Sequence, residues 1–325
     1  PLMTANEIWR IDPNGGEPQR VATDLGVPDA VKFDPDGFLV STQVASGQVL
    51  RIDPRSGEKT VLAQLNPGLD NLTFVGDRLF ASNFTGEITE IRADGKTSTG
   101  LPGGLNWPLD LTVADETLYV ADGTYFYAVS DGGSLRTAGM LFSPGYPGFL
   151  RGVDAVGTDE FIVTTSGGQV ARYRPAAGET EFLATDFDQL YGVAVAHGAI
   201  VFAELGTGKV HCLHSGRVET LCSGLQEPIG VAFDDDGATL VAESGAGRVV
   251  RLGASGPDTV VDGLQRPQGI HVRDGRLYIV DAGAKELVEF DLHSKARTTV
   301  ATGLPVGAPP GVEPKPLRGM PPFSG

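Results

Sequence analysis

Two sets of polar residues recur along the chain at matching places, and their types could do acid–base or metal chemistry. The first set immediately precedes, or takes the place of, a "G-V" pair: Asp29, Asp70, Leu109, Arg151, Tyr191, Ile229, Gln268 and Pro310. The second closes the following apolar run: Gln43, Asn83, Asp122, Thr165, Glu204, Glu243 and Asp281. If both sets meet at one mouth, then Asp29, Asp70, Asp122, Glu204, Glu243 and Asp281 share a space, with Arg151 as the evident cation. Carboxylates so crowded need raised pKa values, a bound cation or intervening solvent. Such a mouth predicts Glu243 and Glu204 as general bases or ion ligands. Arg151 is expected to hold an anionic group or oxyanion, and Tyr191 to donate a proton or hydrogen bond. Asp70, Asp122 and Asp281 are the expected ligands of a divalent cation, Mg²⁺ or Ca²⁺, and no organic cofactor is indicated. The competing reading is that each strand-closing carboxylate caps its own turn, as Asp and Asn do in many loops.

Positions that vary between the copies mark the expected ligand surface. Asn71, Asp110, Asp154 and Tyr191 stand where other copies carry small or apolar residues, and "YFYA" (125–128) and "FSPGYPGFLRG" (142–152) are aromatic-rich. Asp29, Asn71, Asn83, Asp110 and Gln268 are therefore expected to contact substrate. Tyr125, Phe126, Tyr146, Phe149, Trp107 and Tyr191 would wall the pocket, unless they pack between neighbouring sheets.

These residues are carried by a repeat. "VPDAVKF", "GLDNLTF", "WPLDLTV", "LRGVDAV", "QLYGVAV", "EPIGVAF" and "RPQGIHV" begin at residues 27, 68, 107, 150, 189, 227 and 266, so successive separations are 41, 39, 43, 39, 38 and 39. That spacing is close to the roughly 40 to 45 residues of a four-stranded propeller blade. Each copy reads as four alternating strands joined by Gly, Asp or Pro turns, with no helical window, so the chain is expected to be an all-β propeller in one domain over 1–325. Residues 6–26 read as two outer strands, 27–302 as seven full repeats, and 303–325 as a Pro-rich tail. A tail strand joined to the N-terminal hairpin would make a split eighth blade; a tail lying across the channel or base would leave seven. Proline within the tail counts against a ladder role.

The chain has 41 acidic and 25 basic residues, a formal net charge of -16. Such a surface repels phosphate backbones and anionic lipid, so neither nucleic acid nor membrane is an expected partner. Pro1 and Leu2 read as a protease-site scar before a native Met3, and no signal peptide or membrane-length apolar run is legible. A cytoplasmic monomer acting on a small molecule is the expectation. Cys212 and Cys222 flank one hairpin turn, with Cys212 expected opposite Thr220 and no disulfide between them. His211 and His214 point to opposite faces of their strand, which argues against zinc. No nucleophile elbow, dinucleotide-binding phrase, phosphate loop or zinc-protease helix is present.

The phrases "P.G(V/I)" and "LYVAD/LVAES" resemble those of NHL-repeat propellers over residues 6 to 312, and of their enzyme relatives. Those relatives are the virginiamycin B (streptogramin) lyases and the SMP-30/gluconolactonase and strictosidine-synthase-like groups. The resemblance implies a small-molecule lyase, cyclase or lactone/ester hydrolase, of a kind found in secondary metabolism, or a non-catalytic scaffold for a protein partner. Gluconolactonase-type ligand phrases are absent. The lyases' Mg²⁺-associated Glu is matched by Glu243, whereas their catalytic His has no counterpart after it; His271 is the histidine on a first strand.

Overall fold

The computed structural model describes all residues except 15, 76–77, 93, 106–108, 131–133 and 305–325. The described residues form an all-β propeller fold of seven four-stranded antiparallel sheets and one two-stranded hairpin. The blades, numbered in chain order, begin with the first strands Pro28–Phe33, Leu69–Val75, Asp110–Ala114, Leu150–Gly157, Leu190–Ala196, Pro228–Phe233 and Pro267–Arg273. The hairpin pairs Ile8–Arg10 with Gln19–Ala22, as the sequence predicts for two outer strands. The inner partner expected from the tail, Pro310 included, lies outside the described residues.

The chain divides into two compact units, residues 1–106 with 135–144, and 107–134 with 145–325. In the first, Ile8 and Ala22 of the hairpin pack on Leu39, Leu50 and Ile52 of blade 1. Val40, Val49 and Ala63 of blade 1 in turn meet Leu69, Leu72, Leu79 and Ile91 of blade 2. In the second unit, successive blades bury comparable clusters, for example Val201 and Val210 of blade 5 against Val231, Val241 and Val250 of blade 6. Second strands are covered on both faces, which is why "IVFAE" and "TLVAE" read as continuous apolar runs where outer strands alternate.

A β-bulge recurs in the first strand of six blades. Pairing with the second strand breaks between Pro28 and Val31, Leu69 and Leu72, Leu150 and Gly152, Leu190 and Val193, Pro228 and Val231, and Pro267 and Ile270. The unpaired residues include Asp29, Asp70, Arg151, Tyr191, Ile229 and Gln268, the first set picked out by the repeat. A bulge leaves a residue outside the ladder and re-aims its side chain. Blade 3 pairs regularly from Asp110 with Ala121 onward.

The bulges also explain the recurring glycine after them. A Cβ on Gly152 would stand 2.5 Å from the carbonyl oxygen of Tyr191, and one on Gly192 would stand 2.6 Å from that of Ile229. The bulges of blades 4, 5 and 6 thus lie against the bulge carbonyls of blades 5, 6 and 7, and there only a residue without a side chain permits that approach. Thr164 adds a polar link there, its hydroxyl accepting from the Gly152 amide at 2.9 Å and donating to the Tyr191 carbonyl.

One register differs from the sequence expectation. A bulge between Val210 and His211 puts His211, not Cys212, opposite Thr220; Cys212 faces Glu219 and Val210 faces Cys222. Both cysteines are free.

The glycine argument is tested by Gly192→Ala, expected to cost about 1–3 kcal/mol in urea denaturation, the range for forcing an atom into a packed site. Gly269→Ala is expected to be nearly neutral, because its Cβ would meet nothing closer than Val280 at 3.9 Å.

Candidate active site

The strand-closing residues are each buried. Glu243 accepts from the Gln226 amide at 2.7 Å and from Arg248 Nε at 2.7 Å. Asp281 accepts from the amides of Gln265 and Arg266, both at 2.8 Å, and of Ala284 at 3.2 Å. Glu204 accepts from the Asp188 amide at 2.8 Å, from Thr207 and from His211 Nε2 at 3.0 Å. Burial opposes ionisation of Glu204, but these bonds outweigh it and hold the carboxyl below its ordinary value. Asn83 donates to the carbonyls of Asn66 and Pro67 and accepts from the Thr85 amide. Asp122 is fully buried at the Asp122–Tyr125 hairpin. Glu204, Glu243 and Asp281 thus satisfy backbone amides of the crossovers that lead into their blades.

Of the expected metal ligands, Asp281 already accepts three N–H bonds. Among the described residues no group of three or more His, Cys, Asp or Glu is placed to hold a metal ion.

Most of the expected aromatic wall is core. "YFYA" is not an inserted loop but the start of the third strand of blade 3, Tyr125–Val129, and Tyr125, Phe126 and Phe149 are each at most 2% exposed. Phe126 packs edge-on against Phe161 of blade 4 at 4.9 Å, with Tyr119 and Tyr173 beside it. Tyr146 lies edge-on to Tyr173 and donates to the Gly123 carbonyl at 3.0 Å. Trp107 lies outside the described residues.

The bulge positions hold the groups that keep chemistry available. In the second unit Arg151 is buried, its guanidinium 4.4 Å above the Tyr191 ring and 5.7 Å from that of Phe149. Tyr191, Ile229 and Gln268 follow on the next three first strands, all partly exposed. Asp110 and Asp154, on neighbouring first strands, have a structural duty. Asp110 accepts from the Val153 amide at 2.8 Å and Asp154 from the Val195 amide at 2.7 Å, so each ties its blade to the next. Burial, helped by the charge of Asp154, pushes Asp110 up to about 7 against those amide bonds, and burial raises Asp154 as well.

In the first unit the bulges of blades 1 and 2 bring Asp29 and Asp70 into hydrogen-bond contact. Burial first, then the hydrogen bond and the negative charge of Asp70, push Asp29 up to about 6. Two carboxyls in contact share one proton because the doubly ionised pair is repulsive. Asn71, the next residue, is exposed and its side-chain oxygen accepts from the Leu72 amide at 2.8 Å. Of the acidic residues singled out by the repeat, Asp29 and Asp70 lie in contact within the first unit. What the repeat did not reveal was the relay of Thr220, His211 and Glu204 in blade 5, although a histidine at a position that is apolar in most copies was a visible signal.

Two measurements test these assignments. Phe149→Ala is expected to cost about 3–5 kcal/mol, as core aromatics do, and Tyr146→Phe about 1 kcal/mol for one lost hydrogen bond. The folded-state pKa of Asp110 lies above its unfolded value, so its contribution to stability is complete at low pH and is lost as pH rises through about 7. Melting temperature is therefore expected to fall between about pH 4 and pH 7, and Asp110→Asn to flatten that slope.

No family model and no curated relative matches the sequence. Among solved structures, a chain of a nidogen/laminin complex is 18% identical, with TM-score 0.55 over 70% of this chain and 93% of its own. A gluconolactonase-family structure is 19% identical, with TM-score 0.52 over 62% of this chain and 80% of its own. Virginiamycin B lyase from Staphylococcus aureus is 15% identical, with TM-score 0.45 over 78% of this chain and 90% of its own. What the first two share with this chain is the propeller fold.

Proposed function

We propose that the protein is an enzyme that moves protons on a small organic molecule, with Asp29 and Asp70 as a paired general acid and base. The observation that carries this reading is the hydrogen-bonded carboxyl pair on adjacent bulges, with Asp29 raised to about 6. Near pH 6 such a pair holds one carboxyl able to donate and one carboxylate able to accept, and about a tenth of it keeps that proton at pH 7. The carboxylate would take a proton from water or from a carbon acid, and the carboxyl would protonate the departing oxygen. Elimination from an ester and hydrolysis of a lactone or ester both need that combination. No step requires a metal ion, and the oxygens of Glu243 and Glu204 are committed within the second unit to amides, Arg248, Thr207 and His211.

The pair can be examined before any substrate is known. Carboxyl-carbon NMR is expected to show Asp29 titrating near 6. In Asp70→Asn its midpoint is expected to fall yet stay above the ordinary value of about 3.9, since burial remains. A normal Asp29 midpoint in the wild type would remove the basis of the proposal. On a panel of lactones and esters, Asp29→Asn and Asp70→Asn are each expected to lower turnover about 10²- to 10⁴-fold with unchanged melting. Wild-type turnover in both variants would reject the assignment.

A further inference from the structure

We infer that blade 5 carries a second reactive site, independent of the aspartate pair: the hydroxyl of Thr220, activated by His211 and Glu204 as a nucleophile toward activated acyl groups. His211 and Glu204 are 5% exposed, whereas Thr220 lies on the exposed outer strand Arg217–Ser223. The imidazole spans the two environments. Its Nε2 is 3.0 Å from a Glu204 carboxylate oxygen, and its Nδ1 is 3.1 Å from the Thr220 hydroxyl. A carboxylate can only accept, so Nε2 carries the proton and donates to Glu204; Nδ1 then accepts from Thr220. This tautomer makes Nδ1 a base aimed at a hydroxyl, with a carboxylate behind it to stabilise the imidazolium, the arrangement that activates serine and threonine nucleophiles. Phe187 and Phe202 lie against the imidazole at 5.2 and 5.4 Å and hold its plane.

The fold does not require a histidine here. The equivalent positions in the other blades, two residues after the one opposite the strand-closing residue, are Leu50, Thr89, Tyr127, Ala171, Val250 and Val288, all buried. Threonine recurs on the facing outer strand, where Thr259 is opposite Val250 and Thr299 opposite Val288. Only in blade 5, among the described residues, does that threonine face an imidazole backed by a carboxylate.

The chemistry is acyl transfer. The Thr220 oxygen attacks the acyl carbon of an activated ester, its proton passes to His211 Nδ1, and the alcohol or phenol leaves with that proton. An acyl-threonine ester remains. No oxidant or further reactant is consumed.

The test uses p-nitrophenyl acetate on the full chain. The expected result is a stoichiometric burst of nitrophenol and a single acetyl group on the peptide containing Thr220, with Thr259 and Thr299 unlabelled as internal controls. Thr220→Val, which sits on an exposed strand, is expected to abolish the burst without changing the melting temperature, and Thr220→Ser to retain it. Glu204→Gln, if folded by melting, is expected to slow acetylation about a hundredfold. Should Glu204→Gln unfold, Thr220→Val and Thr220→Ser decide the matter by themselves. Label confined to lysines, equal labelling of the three threonines, or an undiminished burst in Thr220→Val would each overturn the inference.

Discussion

The close approach of one blade's bulge to the next blade's backbone is the constraint on which the remaining structure depends. Every first strand has an edge whose amides and carbonyls lack a ladder partner, and such groups must be satisfied or left to water. Here side chains from adjacent blades do it, through Thr164 to the Tyr191 carbonyl and through Asp110 and Asp154 to the amides of Val153 and Val195. Glycine at 152 and 192 allows the backbones to come close enough for those bonds to form. Beside these glycines Arg151 and Tyr191 are displaced from the ladder.

That arrangement sorts the acidic residues by role. Asp110 and Asp154 are spent on holding blades together, and Glu204, Glu243 and Asp281 on closing crossovers, each surrounded by donors. Asp29 and Asp70 differ because their contact is with each other. Burial raises the proton affinity of Asp29 as it does that of Asp110 and Asp154, and the neighbouring carboxyl of Asp70 raises Asp29 further. The same residue type therefore meets donors in one place and another carboxyl in another.

Blade 5 shows how a repeat fold acquires chemistry by single replacements. A strand-closing glutamate, a buried position otherwise occupied mostly by apolar residues, and a threonine of the outer strand are each ordinary features of their places. With His211 in the buried position they become a continuous hydrogen-bonded path from core to surface.

The repeat length, the four strands of each blade and the two-stranded start were determined by the sequence alone, because alternation with period two and the spacing of turn residues are local properties. The variable position before each G-V pair was legible too, but not that a bulge places it outside the ladder. The destinations of the side chains were not. Whether Glu243 or Asp281 faces an open space or an amide depends on where the preceding crossover brings its backbone, and whether "YFYA" lines a wall or fills the seam between blades 3 and 4 depends on how those sheets meet. The register of the blade 5 hairpin turned on one bulge, which moved Thr220 from Cys212 to His211. Tertiary structure decided these points, since each rests on the relative placement of strands whose sequences carry no record of one another.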